Sequence, residues 1–395
     1  MRPRAYLSAH PIEFGTLVAQ RDGVDWMKAA LRRIAAERPV PDLDRALRLY
    51  DLLARRSSID SRVTALEDYT HQEWDRMQVH AAPAGGDGQA LTEAPPWYRA
   101  PLDARMEVFA RTARSIAEQA FGADTEAPDA LIQVSCTGYD SPTAAQRMAD
   151  QKGWADTRLL HIGHMGCYAA LPASAMAADL VTATAARQLA AQAEADLELA
   201  TDAHAAILLM EMCTLHHDPA TTDVEQIVQQ CLFADGAVRV DVTAQLHPGA
   251  FALIDHIETI LPGTMGEMTW RAASPAFRMT LSRDVPDHIH QRVEGLVESL
   301  LARNGLAVSD VDVFAVHPGG PRVIERTAEA LGLEDATVRH SQEVLRTRGN
   351  MSSTTLPHIW AAIAKDEAVV DGDLVCSIAF GPGLTATANL MRKEG

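Results

Sequence analysis

Three segments that are far apart in the chain each place one polar residue of catalytic type among small residues. These segments are Gly166-Cys167-Tyr168, His317-Pro318-Gly319-Gly320-Pro321 and Gly349-Asn350-Met351-Ser352-Ser353. A cysteine thiol is mostly protonated at neutral pH, and it becomes an effective nucleophile where an imidazolium ion or a helix N-terminus stabilises the thiolate. A site that unites a cysteine, a histidine and an asparagine would therefore perform covalent acyl chemistry.

Each of the three residues also has an ordinary structural explanation. Cys167 lies between a glycine turn and an alanine-rich helix, which would hold its sulfur at the positive end of the helix dipole, but most cysteines are buried and inert. His317 ends an apolar run, where ligands of α/β proteins bind, yet a histidine there can also cap a turn. Asn350 enters a helix, where asparagine is a common N-cap. The three segments become informative only when they are taken together.

The elements that must position these residues alternate between short apolar runs and helices. An apolar stripe at three- and four-residue spacing predicts a helix from about Pro101 to Phe121 that packs against a sheet. After Gly122 the pattern predicts buried strands separated by helical stretches such as Ala173 to Leu199. The predicted strands are Ala130 to Cys136, Ala205 to Met212, Val311 to Val316 and Leu374 to Phe380. This alternation predicts an α/β fold whose sheets are covered on both faces.

The predicted elements fall into two sets. A division near the middle of the chain separates residues 1–240, which carry Cys167, from residues 241–395, which carry His317 and Asn350. No sequence repeat relates the two sets. Residues 81–96 are rich in alanine, glycine, proline and aspartate, which predicts an irregular surface segment within the first set and not a domain linker.

Composition and charge exclude several classes of function. Of the 395 residues, 47% are hydrophobic and 22% are charged, as in ordinary globular proteins. The formal net charge of -18, without a local basic patch, argues against nucleic acids and membrane surfaces as partners. The start of the chain has no apolar run of signal-peptide length, and no later stretch is expected to span a bilayer, so we expect a cytoplasmic protein.

Cysteine and histidine spacing argues against disulfides and metals. The cysteines number five and are widely spread, so free thiols are expected. No CxxC or HxxxH spacing occurs, and His161 and His164 have no carboxylate or cysteine partner at ligand spacing. We therefore expect no metal site.

Taken in order, the three segments resemble those of the type III polyketide synthases, the chalcone-synthase-like enzymes. Further strings in the chain are similar to this family's pattern. They are Leu102-Asp103-Ala104-Arg105, Leu232-Phe233-Ala234-Asp235-Gly236-Ala237, Phe277 ahead of Arg283-Asp284-Val285-Pro286, and Phe380-Gly381-Pro382-Gly383-Leu384-Thr385. The resemblance covers most of the chain and is weakest before about Asp51. Ordered motifs of this kind are specific, but they remain hypotheses until the geometry is known.

The resemblance implies a thiolase-like α/β fold, in which two βαβαβ-type halves stack into five layers (αβαβα), usually as a homodimer. It implies that Cys167 accepts a starter acyl group from coenzyme A, while His317 holds the thiolate ionised. Malonyl-CoA would then lose carbon dioxide, and His317 and Asn350 would stabilise the enolate. Claisen condensations would build a chain that cyclises to a pyrone, resorcinol or related phenolic. Coenzyme A thioesters are substrates in this scheme, and no cofactor is needed.

The resemblance also assigns residues around the nucleophile. Phe233 and Phe277 would form a gate between the tunnel from the surface and the cavity, although both have an alternative as ordinary core aromatics. Cys136 is the rival nucleophile but is expected to line the pocket. The remaining predicted substrate-binding residues are Thr137, Cys213, Ser352, Gly381, Pro382 and Gly383.

The chain departs from the plant members of the family where coenzyme A phosphates bind. Only Arg56 keeps a positive charge among the loosely matching positions Leu49, Leu52 and Arg56. Nearby arginines could substitute, or an acyl carrier protein could be the acyl donor in place of acyl-CoA. Two other functions remain open: a single-round ketoacyl synthase or acyltransferase that joins two acyl thioesters, and a non-catalytic protein that binds acyl thioesters.

Overall fold

The computed structural model describes residues 4–80, 100–194 and 201–395, so the segment predicted at 81–96 lies outside the described residues. The strands are β1 (Tyr6–Pro11), β2 (Thr16–Ala19), β3 (Ser61–Thr64), β4 (Ala130–Ser135), β5 (Arg158–Gly163), β6 (His204–Met212), β7 (Asp235–Thr243), β8 (Ala250–Ile260), β9 (Met268–Arg271), β10 (Arg278–Leu281), β11 (Val313–Val316), β12 (Leu374–Gly381) and β13 (Thr385–Glu394). The helices are α1 (Gln20–Glu37), α2 (Leu43–Arg56), α3 (Leu102–Phe121), α4 (Ala144–Lys152), α5 (Ala170–Glu194), α6 (Val224–Leu232), α7 (Val285–His290), α8 (Val293–Arg303), α9 (Pro321–Leu331), α10 (Arg339–Arg348) and α11 (Thr355–Lys365).

The elements predicted from apolar periodicity are confirmed where the structure describes them; the predicted helical stretch Ala173 to Leu199 corresponds to α5, and its residues 195–199 lie outside the described residues. Helix α3 begins one residue later than predicted and packs against β6, and β4, β6 and β12 end or begin within one residue of the predicted runs. Strand β11 is shorter than predicted because residues Val308–Asp310 form a 3-10 turn, and the Val311 N–H donates back to the Val308 carbonyl at 3.2 Å. Only the last four residues of the predicted run are therefore paired as a strand.

Nine strands form one mixed sheet in the order β11-β12-β13-β8-β1-β7-β6-β4-β5. In the first half, β7 pairs antiparallel with β1, β6 pairs antiparallel with β7, and β4 pairs parallel with β6. Strand β5 then pairs parallel with β4. From β8 the same sequence of pairings runs through β13, β12 and β11. The two halves of the sheet therefore share a topology, and they join where β1 pairs with β8.

Among the described residues, three large apolar cores pack against the sheet: one lies between its two halves, and one lies on the outer face of each half. Alternate residues of β4 and β6 face opposite ways: Ile132 and Ile207 join the central core with α5 and α11, while Leu131 and Leu208 join an outer core with α1, α3 and α4. Strand β12 likewise shares its side chains between the central core and a second outer core that contains α8 and α9. Because strand residues alternate between faces, this arrangement gives five layers of helices and sheets.

The predicted division of the chain at residues 240 and 241 lies inside a strand. Strand β7 ends at Thr243, which pairs with Tyr6 of β1 and His204 of β6. The second half of the sheet starts with β8 at Ala250. The division into two halves stays a prediction, and the strand boundaries favour a position after Thr243.

One helix departs from the expectation that no stretch is long and apolar enough to span a bilayer. Residues Gly166–Ala193 meet that test by length and composition, among the described residues. Half of this apolar window is buried, and α5 packs against β4, β6, β7 and β8. Burial between the two halves of the sheet explains an apolar helix of this length, because both of its flanks contact other layers.

Candidate active site

Cys167 lies in a 3-10 turn, Gly166–Tyr168, directly before α5. Gly166 has φ of +74°, a conformation that favours glycine, and a Cβ at this position would lie 2.9 Å from Cδ of Pro382. Cys167 is 6% exposed. The turn thus presents the thiol from the start of the central helix, as its motif predicts.

His317 is held by its backbone at the end of β11. Its N–H donates to the Ile378 carbonyl of β12 at 2.8 Å, which extends the parallel pairing by one residue. The imidazole ring is buried, and neither ring nitrogen has a hydrogen-bond partner among the described residues. Burial without a partner is costly for a polar ring, so this position is unfavourable unless a ligand supplies the partner.

Asn350 forms an isolated parallel bridge with Phe233. Its N–H donates to the Leu232 carbonyl at 2.9 Å, and its carbonyl accepts from the Ala234 N–H at 2.8 Å. The Asn350 side-chain Oδ1 accepts from the Ser352 N–H at 2.9 Å. This bond orients the amide so that its Nδ2 group remains to donate elsewhere.

The three side chains border one cavity of about 430 Å³, which we call the outer cavity. Its apolar lining comes mainly from α6, β10 and α7. Exposed residues, including Arg56, Arg283 and Arg322, line it towards the surface. Cys167, His317 and Asn350 come from three separate elements and from both halves of the sheet, so the tertiary fold brings the predicted trio together.

A second cavity of about 40 Å³, the inner chamber, lies on the other side of Cys167. Cys167, Phe233, Met268 and Met279 border both cavities. A space for one water molecule takes about 10–15 Å³ on this measure, so the chamber holds only a few groups of that size. The thiol therefore lies at the junction between a large space and a small one.

Burial dominates the electrostatics of the cysteine and the histidine. It raises the pKa of the Cys167 thiol to about 12, although hydrogen bonds from Ser352 and Asn350 act in the opposite direction. It lowers the pKa of His317 to about 3. The described residues include no hydrogen bond between the two side chains. Desolvation disfavours each charge, so it favours a neutral thiol and a neutral imidazole in the resting site. The thiolate and imidazolium pair stays a prediction.

Cys136 lies beside a buried carboxyl group. Its N–H and its thiol approach Oε2 of Glu211 at 3.0 and 3.5 Å, and Glu211 also accepts hydrogen bonds from Thr137 and Ser353. Burial and the Glu211 charge raise the pKa of Cys136 well above its ordinary value. Of these two thiols, Cys167 alone has Asn350 acting to stabilise its thiolate. This difference favours Cys167 as the nucleophile.

The other predicted site residues divide between the two spaces. The inner chamber is bordered by Cys136, Thr137, Cys213, Ser352 and Pro382. Arg56 borders the outer cavity.

Gly381 and Gly383 have backbone roles. A Cβ at Gly381 would lie 2.2 Å from the Tyr168 ring, so this glycine permits the close packing of β12 against the nucleophile turn. Gly383 lies in the β12–β13 turn, with φ of +79°. Among the described residues that line the two cavities, Gly381 and Gly383 do not occur.

The gate of Phe233 and Phe277 stays a prediction. Phe233 borders both spaces, whereas Phe277 borders the inner chamber, where it stacks on His216 with ring centroids 4.4 Å apart. Met268 and Met279 also border both spaces, so they lie at the junction together with Phe233.

Several residues of the site were not identified from the sequence. Glu211 is the next-to-last residue of the predicted strand of β6, so a carboxyl group in an apolar run was a usable signal. Four further residues carry no local signal of function: His216, His217, Trp270 and Met279. Their position depends on the β9–β10 hairpin, which folds over the chamber.

The fold of the chain is similar to that of solved structures. A solved structure of a protein called PKS-I, from the brown alga Ectocarpus siliculosus, superimposes with a TM-score of 0.79 at 22% identity, covering 99% of both chains. The 1,3,6,8-tetrahydroxynaphthalene synthase structure from Streptomyces coelicolor gives a TM-score of 0.77 at 21% identity, again over 99% of both chains. The predicted thiolase-like fold is confirmed.

Sequence comparisons then show which proteins the chain is similar to. Residues 252–394 match the family model for the C-terminal domain of chalcone and stilbene synthases. An alpha-pyrone synthesis polyketide synthase-like protein, Pks18, from Mycobacterium tuberculosis is 26% identical over 270 residues, covering 66% of this chain and 64% of the relative's length. The Streptomyces coelicolor tetrahydroxynaphthalene synthase is 27% identical over 263 residues, covering 66% of each chain. These similarities support the type III polyketide synthase family, which the motifs of the chain predict.

Proposed function

We propose that this protein is a decarboxylating condensing enzyme, an acyltransferase that extends a starter acyl group with malonyl-CoA. One observation carries the proposal: Cys167, His317 and Asn350 border a single cavity that reaches the surface. The same cavity supports coenzyme A thioesters as the substrates, because acyl loading and chain extension can be performed by these three side chains.

Starter loading begins with a neutral thiol and a neutral imidazole. As the Cys167 sulfur attacks the acyl-CoA carbonyl carbon, His317 accepts the thiol proton, the new C–S bond forms, and the bond to the coenzyme A sulfur breaks. The proton then passes to the departing coenzyme A thiolate. The low pKa of His317 keeps its ring neutral at neutral pH, with a free lone pair. The negative charge that develops on the Cys167 sulfur beside it favours the protonated ring during the transfer. The helix start behind Cys167 favours the transient negative charge.

Chain extension requires stabilisation of an enolate. When malonyl-CoA loses carbon dioxide, the electron pair of the broken C–C bond moves onto the thioester oxygen. The N–H groups of His317 and Asn350 can both donate to that oxygen, and donors of this kind are typically worth about 3 kcal/mol each in barrier height. The enolate carbon then attacks the acyl-Cys167 thioester, which releases the thiolate.

The arginines along the outer cavity support an anionic acyl donor. Arg56, Arg283 and Arg322 are exposed, and Glu225 is an acidic residue in the same lining. Guanidinium groups bind phosphates through paired N–H donors, so three of them suit the phosphates of coenzyme A. An acyl carrier protein is the alternative donor, and it would be recognised by the same charges.

The product proposed is a pyrone, resorcinol or related phenolic formed by repeated extension. The names of the mycobacterial and Streptomyces relatives, an alpha-pyrone synthesis protein and a tetrahydroxynaphthalene synthase, support this range. A single-round ketoacyl synthase would use the same trio. The number of malonyl units in the product distinguishes the two activities.

We also propose a homodimer in the cytoplasm. Strand β5 is the last strand of the sheet, and Leu159 on it and Met176 on α5 are large exposed apolar residues. An exposed edge strand beside apolar side chains is a common site of association between subunits. All five cysteines are free, which suits a reducing compartment.

The test is to incubate the purified protein with malonyl-CoA and a panel of acyl-CoA starters and to measure free coenzyme A and products by mass spectrometry. We expect starter-dependent coenzyme A release and products containing more than one malonyl unit. Cys167→Ala is the control and should release none above background. Binding of acyl-CoA without turnover by the wild-type protein would instead support the non-catalytic alternative.

A further inference from the structure

A second buried histidine shares the unusual feature of His317. Among the described residues, only His217 and His317 are buried with both ring nitrogens lacking a hydrogen-bond partner. The mechanism above explains this for His317 and leaves His217 unused. A buried ring N–H without a partner is unfavourable, so a second example near the same nucleophile calls for a ligand.

His217 lies beside the inner chamber. It follows the 3-10 turn Cys213–His216 at the end of β6, and its N–H donates to the Thr214 carbonyl at 3.3 Å. The residue is 6% exposed and borders the chamber together with Cys136, Cys167 and Cys213. The chamber is the space that a chain attached to Cys167 can enter away from the surface.

The adjacent histidine provides a direct contrast. His216 Nδ1 accepts from the Phe277 N–H at 3.1 Å, so its Nε2 carries the proton that is donated to the Thr137 carbonyl at 2.7 Å. Both ring nitrogens of His216 are therefore committed to the protein. Two hydrogen bonds therefore hold the His216 ring in the chamber wall, whereas the ring nitrogens of His217 have no partner among the described residues.

The surroundings of His217 keep it neutral. Burial lowers its pKa well below the ordinary value, and the nearby Arg62 and His80 act in the same direction. On its other side a pocket of about 20 Å³, with Arg62, Tyr69 and Thr214 in its lining, has space for about one water molecule. A neutral imidazole presents one N–H donor and one lone pair at neutral pH, so it can move a proton between two oxygen or sulfur atoms.

We propose that His217 is a further catalytic residue that directs ring closure of the chain held on Cys167. The proposal rests on the proposed condensing activity. In ring closure an enol oxygen or an enolisable carbon of the chain attacks the Cys167 thioester carbonyl. The new bond to that carbon forms, the C–S bond breaks, and the proton of the nucleophile passes through the His217 ring to the departing thiolate. The small chamber limits the part of the chain beside His217 to a few atoms, such as the nearest ketone groups.

The test compares His217→Phe, which keeps a ring and removes both nitrogens, with His217→Gln, which restores a donor and an acceptor. Coenzyme A release, the ratio of cyclised to linear or hydrolysed products, and the melting temperature are measured for each variant and for the wild type. We expect the cyclised fraction of the products of His217→Phe to fall at least tenfold, with linear or hydrolysed products in its place. We expect His217→Gln to recover most of that fraction.

Three results would overturn the proposal in distinguishable ways. An unchanged product ratio in His217→Phe, with normal coenzyme A release, would remove the role of His217 and leave the condensing activity intact. An equal loss of all products together with a lower melting temperature, without rescue by His217→Gln, would assign a structural role. Absence of coenzyme A release by the wild type would overturn the condensing activity and this proposal together.

Discussion

At the scale of single residues, the distinction between the thiols depends on what surrounds each sulfur. Ser352 Oγ lies 3.7 Å from the Cys167 sulfur and 3.6 Å from the Cys136 sulfur, so one hydroxyl contacts both. Glu211 contacts Cys136 directly and raises its pKa further, while Asn350 acts to lower the pKa of Cys167. Both cysteines are buried and both feel the Glu211 charge, so the direct contact with Glu211 and the action of Asn350 are what distinguish the two sulfurs.

The resting protonation state of Cys167 can be measured by alkylation. A thiol with a pKa of about 12 gains thiolate about tenfold per pH unit, so its reaction with iodoacetamide should rise about tenfold per unit from pH 7 to pH 10. The labelled peptide is quantified by mass spectrometry in the wild type and in His317→Gln, and we expect the same slope in both. Cys167→Ala identifies labelling of other cysteines. A flat profile in the wild type alone would demonstrate a resting thiolate and imidazolium pair.

At the scale of elements, the β9–β10 hairpin closes the inner chamber. The Trp270 indole N–H donates to the Cys136 carbonyl at 2.6 Å, and the Phe277 N–H donates to His216. These bonds fix the hairpin against the end of β4 and the turn after β6. The aromatic rings of His216, Trp270 and Phe277 contact one another and reduce the space beyond the nucleophile.

Removing the His216 ring should enlarge the chamber and lengthen the product. In His216→Ala we expect at least one additional malonyl unit in the main product, because the ring volume becomes available to the chain. The lost packing and two lost hydrogen bonds should destabilise the fold by about 2–4 kcal/mol. Product mass and urea unfolding measure the two effects. His216→Phe keeps the ring volume, so it should retain the wild-type product length; a longer product from this variant would contradict the size argument.

At the scale of the whole molecule, the positive charges are unevenly distributed over the surface, and the two edge strands of the sheet differ. The chain carries a formal net charge of -18, yet Arg56, Arg283 and Arg322 line the outer cavity where it meets the surface. The repulsion that argues against nucleic acids as partners therefore does not extend to a phosphate group at this cavity. The sheet is likewise uneven, since β5 ends it on one side and β11 on the other.

The edge at β5 should be where two chains associate. We expect sedimentation to give a dimer of the 42.7 kDa chain, and we expect Leu159→Asp to yield a monomer because a charge would be placed in the apolar contact. Val370→Asp is the matched control, since Val370 is also an exposed apolar residue but precedes β12 in the other half of the sheet. A dimer that survives Leu159→Asp would place the interface elsewhere.

The amino-acid sequence was sufficient to predict three residues that border one cavity and the α/β class, because small-residue motifs and apolar periodicity are local properties that neighbouring residues determine. It did not reveal that Met279 borders both cavities, or that the His217 ring is unpartnered while both ring nitrogens of His216 are bonded. Those distinctions depend on contacts between residues that are distant in the chain, such as Phe277 with His216 and Trp270 with Cys136. Only the tertiary structure decided them, because burial and hydrogen-bond satisfaction are properties of packed surfaces and not of local sequence.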